Sequence, residues 1–362
     1  MYNIPCMYFR GGTSKGPCFL RDDLPKDTKK RDEVLLSLMG SPDPGGRQID
    51  GIGGGDSLSN KVVIVGKSER PGIDIDYLLC QVHIKNAIVE TSLNCGNMLS
   101  AVAPFAIERQ LVKAQHPKTM VRIYNENTGV IMESTVKTPN SQISYEGDTH
   151  IDGVPGTGSP IELTFLNAVG SKTGVLLPTG HVVDDMNGIL VSCVDVAVPL
   201  VIARAQELGK TGYESKKELD DDREFMARLE KLRRFVAQKM GFGDVSHSVS
   251  PKICMLAPPR FGGVITSRYF TPFDCHDAHA VSAGLCLAAA TLIPGTVAHQ
   301  MANVENMKKE GADVEIMIEH ASGVIATIVT TATTEGTLFP KASFIRTARP
   351  LFDGCVYVIG GK

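Results

Sequence analysis

The sequence predicts a mixed α/β (α+β) protein of two similar halves, each a sheet wrapped around one buried helix. Short segments rich in Val, Ile and Tyr recur along the 362 residues between Gly, Pro, Asn or Asp, which is typical of strands. Two helical segments are apolar around most of their circumference, so each is expected to be buried on all sides. One segment opens at Cys95 and the other at His276, 181 residues later, which is half of the chain and indicates an internal duplication.

The strand pattern runs through both halves. A polar turn over 10–16 separates predicted strands over 6–9 and 18–20. Further strands are predicted over 61–65, 77–84, 120–124, 143–145, 188–194, 314–318, 325–331 and 356–359. We expect an N-terminal domain over 1–182, joined by the C-terminal strand 345–362, and a second domain over 183–344.

Four helices are predicted. The helix over 27–39 has Asp27 as its N-terminal cap and stops at Gly40, and a surface helix over 222–240 stops at Gly241. The two apolar helices cover 97–111, where Pro104 is expected to introduce a kink, and 276–293.

Composition narrows the functional class. The chain is 43% hydrophobic and 21% charged, with a net charge of −3, so nucleic acid is not an expected partner. Neither a membrane span nor a secretion signal is predicted, and a cytoplasmic location is expected. The nine cysteines form no CxxC pair, so a structural zinc site is not predicted. A small anionic substrate remains compatible, because a local cationic pocket needs only two or three residues.

Cys95 is singled out by its surroundings. Asn94, Gly96 and Asn97 flank it at the start of an apolar helix. Backbone N–H groups and the helix dipole at such a position bind carboxylates and favour a thiolate. The alternative is that Asn94 caps the helix and Cys95 is only a small packing residue.

Lys61 begins an apolar strand directly after a glycine-rich segment, GIGGGDSLSN. Three consecutive glycines allow close approach to a ligand, although the spacing of a Walker loop is absent. A partly desolvated lysine is able to act as a base, and Ser57 and Asn60 are candidates to orient it. The commoner alternative is an edge-strand lysine that prevents aggregation.

Three other stretches carry possible anion donors. The first, RGGTSKG, offers Arg10, Thr13 and Ser14, and equally reads as a polar turn between strands. The second runs from Arg268 to His276, where adjacent Cys275 and His276 are not expected to face one another and His276 is expected to serve better as a donor to an anion. The third surrounds Ser322; beyond it lie further arginines, of which Arg349 is expected to be a surface residue.

Together these stretches resemble the PrpF family of isomerases over nearly the whole chain. The matching blocks are IPCMYFRGGTSKG at 4–16, GSPD at 40–43, RQIDGIGGGDSLSNK at 47–61, DYLLCQV at 76–82, NCGNMLSAVAPFAIE at 94–108, IDGVPGT at 151–157, VLLPTG at 175–180 and IRTAR at 345–349. The resemblance implies the diaminopimelate-epimerase-like fold, two similar barrel-like domains around central helices, with a site in the cleft between them. It implies no cofactor and no metal.

The resemblance also implies a reaction. It points to a 1,3-allylic proton shift or keto–enol tautomerisation of a small unsaturated di- or tricarboxylate, with Lys61 and Cys95 as the proton-transfer groups. The best match is the 4-oxalomesaconate tautomerases, and the alternatives are isomerases of aconitate, methylaconitate or methylitaconate. A homodimer is the expectation from the general frequency of two-fold assemblies.

Two departures and two rival functions stay open. Phe273-Asp274 stands where relatives often carry His-x before Cys-His, and Ala321 where they commonly carry proline, which bears on the substrate more than on the reaction. One rival is a non-catalytic protein that binds a tricarboxylate or a partner enzyme. The other is an epimerase that uses Cys95 and Cys275.

Overall fold

The computed structural model describes residues 2–91, 95–166, 168–246, 248–272, 274–331 and 341–358. The chain divides into two compact units. Unit 1 comprises Met1–Thr164 and Ile345–Lys362, and unit 2 comprises Phe165–Phe344. The predicted domain boundary near residue 183 lies inside unit 2.

The described residues form strands and helices in the following order along the chain. The strands are β1 (Tyr2–Gly11), β2 (Ser14–Leu20), β3 (Lys61–Lys67), β4 (Ile75–Val82), β5 (Val89–Glu90), β6 (Lys118–Asn125), β7 (Val130–Lys137), β8 (Ile161–Leu166), β9 (Asp184–Asp185), β10 (Leu190–Val196), β11 (Val198–Arg204), β12 (Lys252–Ala257), β13 (Ile265–Phe270), β14 (Lys308–Glu310), β15 (Asp313–His320), β16 (Gly323–Thr330), β17 (Lys341–Arg346) and β18 (Ala348–Val358). The helices are α1 (Thr28–Met39), α2 (Gly96–Glu108), α3 (Lys216–Asp221), α4 (Arg223–Lys239), α5 (Val281–Leu292) and α6 (Val297–Met301).

In unit 1, a hairpin of β1 and β2 begins the sheet. β2 runs parallel to β3, β3 antiparallel to β4, β4 parallel to β6, and β6 antiparallel to β7. The C-terminal strand β18 pairs antiparallel with β1. Helix α2 packs against β1, β2, β3 and β7, and its residues from Met98 to Ile107 are all buried. The prediction of a helix buried on all sides is therefore confirmed here.

Unit 2 repeats this arrangement strand for strand. β10 and β11 form a hairpin, β11 runs parallel to β12, β12 antiparallel to β13, β13 parallel to β15, and β15 antiparallel to β16. Helix α5 packs against β10, β11 and β16, with the residues from Ala283 to Thr291 buried. Five strand pairings recur in the same order and direction, which confirms the predicted internal duplication.

The two outer helices follow their sequence signals. Asp27 accepts a hydrogen bond from Lys30 N at 2.9 Å, and Gly40 ends α1 in the left-handed conformation with φ 71°. The buried face of α1 packs on the sheet of unit 1 around Phe19 and Ile64. Asp222 caps α4 by accepting from Phe225 N at 2.9 Å.

Two predicted helix boundaries and one predicted strand are wrong. Helix α5 begins at Val281 instead of His276, because the preceding residues bond to β13: His276 N donates to Tyr269 O at 2.8 Å. Helix α2 ends at Glu108, short of the predicted residue 111, and the chain turns away through Gln110 with φ 59°. No strand forms over 143–145, because its Ser144 N bonds to Lys137 O instead of entering a ladder.

Candidate functional site

Cys95 occupies the N-terminal cap of α2. Its backbone is extended, with φ −138° and ψ 101°, and its carbonyl accepts from Leu99 N at 3.1 Å. The thiol is half-buried and makes no capping bond. Backbone N–H groups of the first turn, at Gly96 and Asn97, have no acceptor within the helix and lie at the positive end of its dipole. Asn94, predicted to be part of this site, lies outside the described residues.

Asn97 joins the helix start to the turn between β1 and β2. Its Nδ2 donates to Thr13 Oγ1 at 2.9 Å. The contact is so close that a Cβ on Gly12, whose φ is +53°, would come within 2.2 Å of Asn97 Oδ1. A Cβ on Gly11 would come within 2.6 Å of Asn97 O. The two glycines of the RGG motif are therefore required by this approach of hairpin to helix.

Arg346, at the end of β17, is one of the arginines beyond the Ser322 stretch that the sequence offered as possible anion donors without assigning them to the site. Its Nε donates to Asn97 Oδ1 at 3.1 Å. Burial lowers the pKa of the guanidinium to about 10, and the neighbouring Cys95 acts in the opposite direction. The sequence signals were its charge, beyond the Ser322 stretch, and its place in the IRTAR block. The structure therefore puts a second cationic group, besides the predicted Arg10, near the start of α2.

The Arg10 side chain forms its hydrogen bonds with backbone carbonyl groups. Its Nη1 donates to the carbonyls of Gly12 and Thr347, both at 2.9 Å. Burial, with a smaller contribution from Arg349, lowers the pKa of Arg10. Arg10 thus stabilises the hairpin turn against the chain that follows β17.

Lys61 is the first residue of β3, and its Nζ donates to Oε1 of Gln81 directly across on β4. The Gln81 amide is held in turn, because its Nε2 donates to Ser57 O at 3.2 Å and to Asn60 O at 3.0 Å. Ser57 and Asn60, which were predicted to orient Lys61, are linked to it through their carbonyls and Gln81. Gln81 was not predicted to be a site residue, although it lies in the matching block DYLLCQV.

The glycine-rich segment is organised by a buried side chain, Gln48. Its Oε1 accepts from Gly55 N at 2.9 Å and from Asn60 Nδ2 at 2.7 Å. Two polar atoms nearby, Asn60 Oδ1 and Ser14 Oγ, are buried and have no hydrogen-bond partner among the described residues. Because a buried polar atom without a partner is costly, these two are candidates to bind a ligand or water.

One hairpin brings these groups into one neighbourhood of unit 1. Thr13 in its turn contacts Asn97, while on β2 a Cβ at Gly16 would lie 1.8 Å from Lys61 O. Lys15 N also donates to Leu58 O at 2.9 Å. From Ser14 to Gly16 a strand advances by about 7 Å. The stretches that contain Arg10, Lys61 and Cys95 are thus neighbours in space, although up to 85 residues separate them in sequence.

The predicted residues of unit 2 have other surroundings. Arg268 is buried and its Nε donates to Glu214 O at 2.7 Å; burial lowers its pKa. His276 is half-buried and its Nδ1 accepts from Ala278 N at 2.9 Å; burial lowers its pKa. Ser322 is exposed, in the turn between β15 and β16, and its Oγ lies 3.3 Å from His320 Nδ1. Within the described part of unit 2, no hydrogen bond joins Arg268, His276 and Ser322 to one another.

Cys275 is unlike Cys95. It lies five residues before the N-cap of α5, it is fully buried, and its N–H donates to Asp220 Oδ1 at 2.7 Å. Burial raises the pKa of its thiol to about 12. A thiol in this environment is a poor proton-transfer group near neutral pH, which disfavours the two-cysteine epimerase. Phe273, the departure noted in this stretch, is outside the described residues.

The described residues form neither a metal-binding cluster nor a membrane-spanning helix. Among the described residues, no group of three or more His, Cys, Asp and Glu side chains is arranged to hold a metal ion. In the same part of the chain, the helices are too short or too polar to cross a bilayer.

Sequence comparison places the chain in a family. The family model described as PrpF protein matches residues 1–359. The chain belongs to the PrpF family. It is 47% identical over 358 residues to a relative named (4E)-oxalomesaconate Delta-isomerase from Novosphingobium sp. strain KA1, covering 99% of this chain and 98% of that protein.

Solved structures agree with the fold of this PrpF family member. The crystal structure of a methylitaconate-delta-isomerase superposes with a TM-score of 0.87 at 35% identity, covering 99% of this chain and 98% of that one. A hydroxyproline epimerase from Agrobacterium vitis superposes with a TM-score of 0.52 at 10% identity, over 98% of this chain and 92% of that one. The second likeness shows the fold alone, and the fold is diaminopimelate-epimerase-like as expected.

Proposed function

We propose that this protein is an isomerase that catalyses a 1,3-allylic proton shift, or the equivalent keto–enol tautomerisation, on a small unsaturated di- or tricarboxylate. 4-Oxalomesaconate is the first candidate substrate, and aconitate, methylaconitate and methylitaconate are the alternatives. The observation that carries the proposal is the meeting, around one hairpin, of a lysine, a half-buried thiol and a helix N-terminus.

The proton shift requires a base, an acid and donors for the developing negative charge. In this account neutral Lys61 takes a proton from the carbon next to a carboxylate or ketone. The electrons of that C–H bond form a new C=C bond, and the charge spreads over a dienolate. Cys95 delivers a proton to the far carbon, so the double bond moves by one position and no atom is gained or lost.

The substrate carboxylates are assigned to donors at the start of α2 and in the hairpin. Gly96 and Asn97 offer backbone N–H groups, and cationic Arg346 lies beside them. Buried Ser14 Oγ has no partner among the described residues, which supports a role in substrate binding. Proposed substrate-binding residues are therefore Arg10, Thr13, Ser14, Ser57, Asn60, Asn94, Gly96, Asn97 and Arg346.

Some predictions stay predictions. Arg268, His276 and Ser322 are candidates for a further carboxylate, resting on the sequence. A cytoplasmic location and a homodimer are likewise predictions that rest on the sequence. The proposed reaction uses only side chains and backbone of the protein and calls on no cofactor.

A substrate panel tests the proposal. Each candidate acid is mixed with the protein and followed by ultraviolet absorbance, because moving the double bond changes conjugation. We expect turnover of at least one acid, its loss in Lys61→Ala, and its retention in Lys67→Ala, which changes the exposed lysine at the other end of β3. Binding of these acids without turnover would instead favour the non-catalytic binding protein.

A further inference from the structure

We propose that Gln81 is the positioning residue for Lys61: it fixes the lysine amine through one hydrogen bond and adds no negative charge beside it. The inference rests on the proposed role of Lys61 as the base. It goes beyond that role by naming the group that keeps the amine in place without a negative charge beside it.

The orientation of the Gln81 amide is determined by its surroundings. The Nε2 group donates to two backbone carbonyls, Ser57 O at 3.2 Å and Asn60 O at 3.0 Å. A carbonyl oxygen in that place would face two other carbonyls, so the reverse orientation is excluded electrostatically. Oε1 must therefore face Lys61 Nζ, to which it is hydrogen-bonded.

The backbone supports the same contact. Lys61 and Gln81 lie directly opposite one another in the antiparallel pair β3–β4. Val82 N donates to Asn60 O at 3.0 Å, which fixes the residue next to each partner. The close packing of Gly16 against Lys61 O holds the start of β3 from the other side.

The chemistry follows from the charge of the acceptor. A carboxylate at this place would favour the ammonium form and would oppose proton abstraction, whereas a carboxamide accepts an N–H from the amine without a net charge. One N–H of the neutral amine then binds Oε1, and the lone pair is directed away from Gln81. The oriented base of hydrolases, held by a third group, follows the same logic.

In the part of the chain that the structure describes, no carboxylate takes the place of Gln81 beside Lys61. The titratable and charged groups on the elements around Lys61 are Lys15 and Cys18 on β2, Lys67 on β3 itself, Asp76, Tyr77 and Cys80 on β4, Asp56 in the preceding loop, Glu90 on β5, and Cys95 and Glu108 at the two ends of α2. Asp76 lies opposite Gly66, five residues from Lys61 along β3, and pairs with Arg70. Glu90 lies opposite Gln81, two strand spacings or about 10 Å from Lys61. Among the described residues Lys61 forms no ion pair.

Three variants test this inference. Gln81→Glu keeps the shape and adds one charge, Gln81→Met keeps the length and removes the acceptor, and Gln142→Glu adds the same charge at an exposed site as a control. Thermal unfolding first establishes that each variant is folded. The rate is then measured as kcat/KM and kcat against pH, and the Lys61 Nζ signal is titrated by ¹⁵N NMR, assigned with Lys61→Arg.

We expect Gln81→Glu to move the rising limb of the kcat/KM profile up by about 1–3 pH units, together with the Nζ titration. Gln81→Met should lower kcat on the order of tenfold with little change in KM, because the Lys61 amine is held less firmly while the groups that bind the substrate are unchanged. Gln142→Glu should match the wild type.

Two results would overturn the inference. If the Nζ titration of Gln81→Glu stays where it is in the wild type, Gln81 does not control Lys61. If the Nζ titration moves but the rate profile does not, Lys61 is not the base. Gln81 then has no role in catalysis through Lys61. The second result refutes the proposed function separately from the contact.

Discussion

At the scale of single residues, the nine cysteines divide by environment. Seven are buried, Cys355 is exposed, and Cys95 is half-buried at a helix N-terminus. Burial raises the pKa of the Cys80 thiol to about 12 and has the same effect on Cys254. The flanking asparagines and Gly96 predicted a helix start at this point, and among the described residues Cys95 is the only cysteine in the N-cap position of a helix.

His279 provides a prediction about stability. It is buried against Ser267 and stacks on Tyr269, with ring centroids 5.1 Å apart, and burial lowers its pKa to about 3. In the unfolded chain this histidine takes up a proton near pH 6.5, whereas in the folded protein the ring stays neutral at that pH. The free energy of unfolding therefore falls as the pH falls below about 6.5. Between pH 7 and pH 5 this group alone should cost about 2 kcal/mol of unfolding free energy.

The measurement is urea unfolding at both pH values. His279→Gln removes the titrating ring, so its loss of stability between pH 7 and pH 5 should be smaller than that of the wild type by about 2 kcal/mol. His150→Gln, at an exposed histidine, serves as the matched control. Equal losses for the wild type and His279→Gln would show that the ring is protonated in the folded protein.

At the scale of elements, Gly16 controls the place of β3. A side chain there would meet Lys61 O at 1.8 Å, so β2 and β3 would have to separate at the residue proposed as the base. We expect Gly16→Ala to destabilise the protein by about 1–3 kcal/mol and to lower kcat, because the lysine would shift with its strand.

Thermal unfolding and kcat measure these two effects. Gly354→Ala, in β18, is the control, since a Cβ there would meet no atom within 4 Å. A Gly16→Ala protein with unchanged stability and unchanged kcat would contradict the proposed coupling of strand position to base position.

Local signals predicted most elements but failed where another element competes for the backbone. Asp27 and Gly40 define α1 because a cap and a left-handed stop act within one turn. The start of α5 was misplaced because the bond from His276 N to Tyr269 O on β13 replaces helical bonding. Such a pairing between segments leaves no trace in the apolar periodicity of the helix.

At the scale of the whole molecule, the duplication was readable from sequence because each half must bury one apolar helix in a sheet. The repeated strand pairings of units 1 and 2 bear this out. The full set of residues around the site was harder to predict from the sequence. Gln81 and Arg346 join it through contacts across strands and with a distant helix start, and their matching blocks, DYLLCQV and IRTAR, do not show which of their residues reach the site.

Lys61 is proposed to remove a carbon-bound proton, and Cys95 is proposed to serve the same reaction. The most direct test is NMR of proton exchange in deuterated water, with the acid that the substrate panel selects. We predict that the wild type and Lys67→Ala incorporate deuterium, that Lys61→Ala loses at least on the order of a hundredfold in rate, and that Cys95→Ser is slowed. Undiminished deuterium incorporation by Lys61→Ala would contradict the account.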